Sequence, residues 1–291
     1  MLLDRSAAGA PAQLSPAKAA AHTGTKTTTY HFGVIDDLDY AANEHHSWSM
    51  TQIEDGLKKN PNSSELLADE ARAYLLDGDY ESATAEFNKI LARDPHFGRV
   101  FILRSEIDVA DKNWNAAISD LRKAEQYGTP LVSLAATERL ALYLREQKRF
   151  DESLPEYDKL IASGLLSKQL LGRFVFQRGE VFFRTNRPEQ GLAAAAEAIK
   201  LNPDLSIAYM ARARTFSYMN KLPEAISNYS SAIDLELNHS RKMASPTLLE
   251  AYRERAQIYA RTGHKDLARR DLVTAKQYER ETVRDMPFQM P

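Results

Sequence analysis

Small and apolar positions recur along this chain at offsets of four and then three residues, set between polar stretches that turn. In DGDYESATAEFNKILARDP, residues 77–95, they fall at Ala83, Phe87 and Ile90, with acidic, amide and basic residues filling the intervening places. Offsets of four and three put three side chains on one face of a helix. The stretch therefore predicts a turn, an amphipathic helix and a stop at Pro95. The same pattern returns five times. A small residue stands at Ala83, Ala117, Ser153, Gly191, Ala225 and Ala268, and four residues on come Phe87, Leu121, Tyr157, Ala195, Tyr229 and Leu272. Three further on come Ile90, Ala124, Leu160, Ala198, Ala232 and Ala275.

A second helix is predicted ahead of each of these. Its landmarks are a small residue at Ala71, Ser105, Ala141, Gly179, Ala213 and Ala256, followed three places later by Tyr74, Asp108, Leu144, Phe182, Phe216 and Tyr259. Both sets of small residues advance by 34, 36, 38, 34 and 43 residues. Two columns in one register describe a helix hairpin used six times. Antiparallel helices approach closely only where a side chain is small, so the small columns mark crossing points and the large ones fill the space beside them. Gly78, Asn186, Asn220 and Gly263 fall at the turn, where a left-handed residue is needed. Lys112 and Lys148 hold that place in two units and are expected to suit it less well.

This pattern resembles the tetratricopeptide repeat, a 34-residue helix–turn–helix unit. The resemblance runs from about Ser64 to Arg280, and is clearest in ELLADEARAYLLDGDYESATAEFNKILARDP and AYRERAQIYARTGHKDLARRDLVTAKQYE. The family's first-helix tryptophan is replaced by Leu67, Phe101, Thr137, Val175, Tyr209 and Tyr252. Asp108 stands where an aromatic is expected, and Ala195 where a larger residue is usual. The resemblance implies an all-α fold, a right-handed superhelical solenoid of antiparallel helix pairs. The expected organisation is a disordered N-terminal tail at 1–29, a degenerate capping repeat at 30–63, an array over 64–285, and a C-terminal tail at 286–291. The six pairs of the array fall at about 64–97, 98–131, 134–167, 172–205, 206–239 and 249–282. The 43-residue step holds LNHSRKMASPTL, expected as an exposed loop, and KQYERETVRD is expected to prolong the last helix with a polar face.

Composition narrows the function. Thirty-eight Lys and Arg against 40 Asp and Glu give a net charge of −2, without the basic excess usual in nucleic-acid binders. There is no cysteine, which removes disulfides, thiolate metal sites and cysteine nucleophiles. No apolar run reaches the roughly 18 residues of a spanning helix, and membrane insertion is not expected. The start, MLLDRSAAGAPAQLSPAKAAAHTGTKTTT, does not read as a secretory signal. The compartment stays unknown, with the cytoplasm favoured.

Candidate chemistry is sparse. Arg104 and Asp120 lie 16 residues apart, as do Arg255 and Asp271, while Arg212 has Asn228 at that offset. Pairs recurring with the repeat predict struts between the helices of a hairpin rather than acid–base catalysts. VIDDLDYAANEHH gathers carboxylates with His45 and His46, but adjacent histidines point about 100° apart on a helix and the HExxH spacing is missing. Metal binding is not expected there. TGTKTTT lacks the order of a phosphate-binding loop, and no Gly-x-Ser-x-Gly elbow occurs. The chain is not expected to be an enzyme or to hold a cofactor, metal or small-molecule substrate.

Function then rests on the groove that the resemblance assigns to the first helices, taken as the site of a partner peptide or helix in a scaffold or adaptor. The early units offer Glu65, Ala68, Arg72, Arg99, Ile102, Glu106, Glu138, Leu142 and Arg145. The later ones offer Arg173, Phe176, Glu180, Phe183, Arg184, Met210, Arg214, Tyr218, Arg253, Gln257 and Arg261. Arginines alternating with aromatic and methionine surface suit an acidic, partly hydrophobic protein segment. The alternatives are RNA or polyanion binding by the same arginines, and a regulatory or assembly role within a larger enzyme or envelope complex. A family subclass clamps chaperone C-terminal carboxylates with Lys, Asn and Arg. The matching positions here are Ala68, Arg72, Leu103, Ala135 and Arg139, and a chaperone-tail adaptor is not expected.

Overall fold

The computed structural model describes residues 49–239 and 245–284, with the side chains of His239 and of 281–284 left aside. The expected N-terminal tail, the VIDDLDYAANEHH and TGTKTTT stretches, the middle of the 43-residue step and the C-terminal tail lie outside the described residues. Within them the chain forms thirteen α-helices and no strand.

Contacts divide the chain into two compact units, Met1–Tyr143 and Leu144–Pro291. The first holds α1 (Met50–Lys59), α2 (Ser64–Leu76), α3 (Tyr80–Arg93), α4 (Gly98–Ala110), α5 (Trp114–Tyr127) and most of α6 (Pro130–Glu146). The second takes the end of α6, then α7 (Phe150–Ala162), α8 (Lys168–Arg184), α9 (Pro188–Leu201), α10 (Ser206–Tyr218), α11 (Leu222–His239), α12 (Pro246–Arg261) and α13 (Lys265–Arg284). In the first unit α2 packs on α3 and α4 on α5. In the second α8 packs on α9, α10 on α11 and α12 on α13. Ser49 caps α1 through a capping box with Gln52, and Ser63, Asp79, Ser167 and Ser245 cap α2, α3, α8 and α12.

All twelve small crossing residues read from the sequence are buried. The closest approach in α8 and α9 shows why: a Cβ on Gly179 would sit 2.9 Å from that of Ala194, and one on Gly191 would enter the Phe183 ring. Phe87, Leu121, Tyr157, Ala195 and Tyr229 are buried as well, whereas Leu272 is 45% exposed on the last helix.

One turn is built six times. The amide of the first residue after the left-handed position donates back to the carbonyl of Tyr74, Asp108, Leu144, Phe182, Phe216 or Tyr259, at 2.7–2.9 Å in each case. These acceptors are the second column of the first helices. The bond is the six-to-one link that closes a helix on a left-handed residue, and it fixes φ at 77° for Gly78 and 82° for Gly263. Asn186, Asn220, Lys112 and Lys148 all take 58°. The lysines thus adopt the same turn as the asparagines, with the backbone strain of a Cβ in that region. Lys148→Gly is expected to raise stability by about 0.5–1 kcal/mol, the relief of that strain less the added freedom of the unfolded chain. A urea midpoint that moved down instead would show the lysine side chain to be structural.

Candidate functional site

Within each unit a first helix packs on the second helix of its own hairpin, and what lies beside it decides which of its remaining side chains reach solvent. Three residues before the small crossing position stand Ala68, Ile102, Glu138, Phe176 and Met210, and all five are buried. Arg253 holds the same place in α12 and is exposed, bridging to Glu279 at 2.9 Å. Phe176 and Met210, expected in the groove, belong instead to the hydrophobic core. Arg99 and Leu142 are buried as well. Phe183 is half-buried with its ring over Gly191, and Arg173 is half-buried.

Successive first helices are tied by ion pairs, three of which use Glu106, Glu180 or Arg214, one residue after the crossing position. In the first unit Arg139 meets Glu106 at 2.9 Å, and Arg99 meets Glu65 at 3.0 Å and also Asp69. In the second, Arg145 reaches Glu180 at 3.3 Å. Arg214 reaches Glu250 at 2.7 Å and Glu254 at 2.8 Å, and Glu254 also accepts the Tyr229 hydroxyl at 2.9 Å. Two carboxylates hold the Arg214 guanidinium charged, well above its ordinary range, chiefly through the hydrogen bonds it donates to Glu254. Arg139, the one residue matching the chaperone clamp, is buried against Glu106. Gln257 is exposed.

Five residues after the crossing position the picture changes. Leu76, Ala110, Glu146, Arg184, Tyr218 and Arg261 are all exposed. In the second unit this stripe carries Arg184, Tyr218 and Arg261 at the last residues of α8, α10 and α12. Tyr218 is 79% exposed. Arg261 leans toward it, its guanidinium 3.4 Å from Ser217 Oγ and 3.3 Å from Asn220 Oδ1. Cations at helix C-termini sit favourably against the helix dipole, which stabilises Arg184 and Arg261 where they stand.

The 16-residue pairs are formed. Arg104 donates to Asp120 through Nε at 2.5 Å and Nη2 at 2.8 Å, and Arg255 donates to Asp271 at 2.8 and 2.9 Å. Arg212 Nε reaches Asn228 Oδ1 at 2.6 Å. Each acceptor is buried three residues after a crossing position. Ala194 stands there in α9, and Arg178 turns to Asp158 at 2.7 Å. In the first hairpin the strut is replaced by two carboxylates. Glu70 occupies the arginine place and Glu86, buried, the aspartate place; Lys89 takes one oxygen of Glu86 at 2.5 Å, and Oε2 has no hydrogen-bond partner among the described residues. Burial and then the charge of Glu86 push the Glu70 carboxyl up. Glu70→Arg is expected to complete the strut and stabilise the first unit by about 1–2 kcal/mol at neutral pH, by satisfying that oxygen. Urea melts of both proteins at neutral pH read the gain, and an unchanged midpoint would show that the open oxygen does not limit this hairpin.

Asp108 stands in the aromatic column and is half-buried beside the Arg104–Asp120 pair. Burial, then the charge of Asp120, push its carboxyl up to about 6 from 3.8, with Arg104 pulling the other way. A carboxyl raised in the folded state favours the neutral form, so its contribution is intact below pH 4 and is lost as pH rises through about 6. Asp108→Asn should therefore match wild type at pH 4 and exceed it at pH 7 by about 1–2 kcal/mol, the shift discounted for solvent screening. Equal pH profiles would place the titration elsewhere.

Among the described residues no group of three or more metal-ligating side chains occurs, and no helix is long and apolar enough to cross a membrane. No protein-family model matches the chain. It is similar to U-box domain-containing protein 70 of Oryza sativa subsp. japonica, 23% identical over 229 residues, covering 73% of this chain and 25% of that protein. It is also similar to Hsp70-Hsp90 organizing protein 3 of Arabidopsis thaliana, 24% identical over 211 residues, covering 66% of this chain and 35% of that protein. The chain thus spans a quarter to about a third of the length of these curated relatives. Among solved structures, the C-terminal part of a TPR repeat-containing protein from Cytophaga hutchinsonii superposes with a TM-score of 0.63 at 16% identity, covering 88% of this chain and 98% of that one.

Proposed function

Because the chain has the all-α tetratricopeptide-repeat fold, we propose that it is a protein-interaction scaffold. Its second unit holds an acidic, partly hydrophobic segment of a partner protein along the first helices. The observation that carries this reading is the exposed stripe of Arg184, Tyr218 and Arg261. Two guanidiniums supply charge-assisted, fork-shaped donors to carboxylates, and the tyrosine between them supplies apolar area at small entropic loss. The arginines behind this stripe are engaged in holding the fold. Arg145 and Arg214 are neutralised by carboxylates of the next first helix, which argues for a short peptide footprint over a long polyanion. An RNA strand would need a run of uncompensated cations and would bind with steep salt dependence.

The test uses two baits of the full chain, wild type and an Arg184→Glu/Tyr218→Ala/Arg261→Glu variant, with circular dichroism confirming equal helicity. The expected result is a set of lysate proteins retained by wild type and lost by the variant, with retention insensitive to nuclease. Equal retention by both baits would place binding outside the stripe. Retention abolished by nuclease would make the ligand RNA.

A further inference from the structure

We propose a second docking surface, separate from the first-helix stripe: the open groove between α12 and α13, which takes an acidic amphipathic helix from a partner protein. Ala260, Lys265, Ala268, Arg269, Leu272, Val273 and Lys276 line a cleft of about 400 Å³ there. Leu272 is 45% exposed and Val273 59%, on the face of α13 that runs through 265, 269, 272, 273 and 276. Steps of four, three, one and three residues keep these side chains on one helical stripe.

The repeat itself says what such a groove is shaped to receive. Shifted back by the 43-residue step, the stripe maps onto Leu222, Ile226, Tyr229, Ser230 and Ile233 of α11. There the groove is filled. Tyr229 and Ile233 are buried, Leu222 and Ile226 pack on the same core, and α12 lies over them with Leu248, Ala251 and Tyr252. Those three lie at i, i+3 and i+4, the spacing of one helix face. The groove on α13 lies at the same place in the repeat and is lined by the apolar side chains of Ala268, Leu272 and Val273. The occupant is therefore again a helix with an apolar i, i+3, i+4 face.

The rim differs, and the rim selects. Leu222, Ile226 and Ile233 become Lys265, Arg269 and Lys276, all exposed and without an ion pair among the described residues. A helix with apolar or basic flanks, set down here, would lay them against three cations. A helix with carboxylates beside its apolar face would pair with them instead. Leu267, on the opposite edge of α13 with Arg270 and Thr274, belongs to a different surface beside Tyr252 and Arg255.

The probe is a fluorescein-labelled 18-residue model peptide with leucines at helical spacing on a glutamate background. Its counterpart carries lysines for glutamates. In fluorescence anisotropy with the full chain, the glutamate peptide should bind at least about tenfold more tightly, the ratio expected for a few exposed charge pairs. Lys265→Glu/Arg269→Glu/Lys276→Glu should reverse that order, and Val273→Asp should weaken both peptides. In the Arg184→Glu/Arg261→Glu background, where the stripe's own hold on acidic segments is removed, the glutamate peptide should still bind more tightly than the lysine peptide, and adding Lys265→Glu/Arg269→Glu/Lys276→Glu should still reverse that order, which separates this surface from the stripe. Three results would overturn the proposal: equal affinity for both peptides, an order unaltered by charge reversal, or loss of binding in the stripe variant. Self-association in sedimentation that Val273→Asp abolishes would make the occupant a second copy of the chain, and would likewise overturn it.

Discussion

Tyr229→Ala is expected to destabilise the second unit by about 3–5 kcal/mol, the loss typical of truncating a buried aromatic that leaves a cavity. The ring is 2% exposed and sits in the core that α10, α11, α12 and α13 share. Its neighbours Ala213, Ala225, Ala232 and Ala251 are already minimal side chains at helix crossings, so they cannot swell into the space the ring leaves. The hydroxyl adds a separate contribution. It donates to Glu254 at 2.9 Å, and Glu254 in turn binds Arg214, so the ring tip belongs to the bridge between first helices. Burial first, then Glu254, push the hydroxyl's pKa up, keeping it a donor through the physiological range. Tyr229→Phe isolates that bond and should lose about 1 kcal/mol. In arrays held by nearest-neighbour contacts, a lesion acts on its own neighbourhood. Urea unfolding followed by circular dichroism should accordingly show the loss in the transition of the second unit. A loss below about 1 kcal/mol would mean that the ring is not what joins these helices.

The elements legible in the sequence were those set within one hairpin. Crossing residues, turn positions and the 16-residue struts all depend on helix period and hairpin register, which local spacing reports directly. What could not be read that way depends on the neighbouring hairpin. Phe176 and Met210 look available on a helical wheel, yet both lie in cores that take residues from the neighbouring hairpin as well as their own. Arg253 occupies the same column and stays exposed on α12. The Arg139–Glu106, Arg145–Glu180 and Arg214–Glu250 pairs span 33 to 36 residues, one repeat length. Scanning for opposite charges at the repeat period, rather than within one helix, would have found them. Arg214's second carboxylate, Glu254, lies 40 residues on, one helical turn past Glu250. Of the candidate site, Arg184, Tyr218 and Arg261 emerge as one exposed column because they end their helices at the same place in the repeat.

Asp120→Ala is expected to destabilise the first unit by about 3 kcal/mol, and the loss should depend on Asp108. Asp120 is buried and binds Arg104 through two hydrogen bonds and Lys123 at 3.0 Å. Both cations stand over the Phe101 ring, at 5.3 and 5.4 Å from its centre, so the carboxylate also holds them against that face. Removing one partner of a buried pair leaves the other charge without compensation, which is where most of such a loss arises. Arg104 has one recourse, since Asp108 lies close enough for each to perturb the other's titration. Without Asp120, Asp108 loses a like charge and gains the whole of Arg104, so its carboxyl should titrate well below 6. Asp108→Asn, stabilising at pH 7 when Asp120 is present, should become destabilising when it is absent. This change of sign distinguishes a shared electrostatic network from two independent defects. Replacing Arg104 and Asp120 together by leucine should restore much of the loss, because a well-packed apolar pair avoids burying charge. Urea melts of the four variants at pH 4 and pH 7 decide it. An Asp120→Ala protein as stable as wild type would remove the strut from the account of why the pair recurs with the repeat.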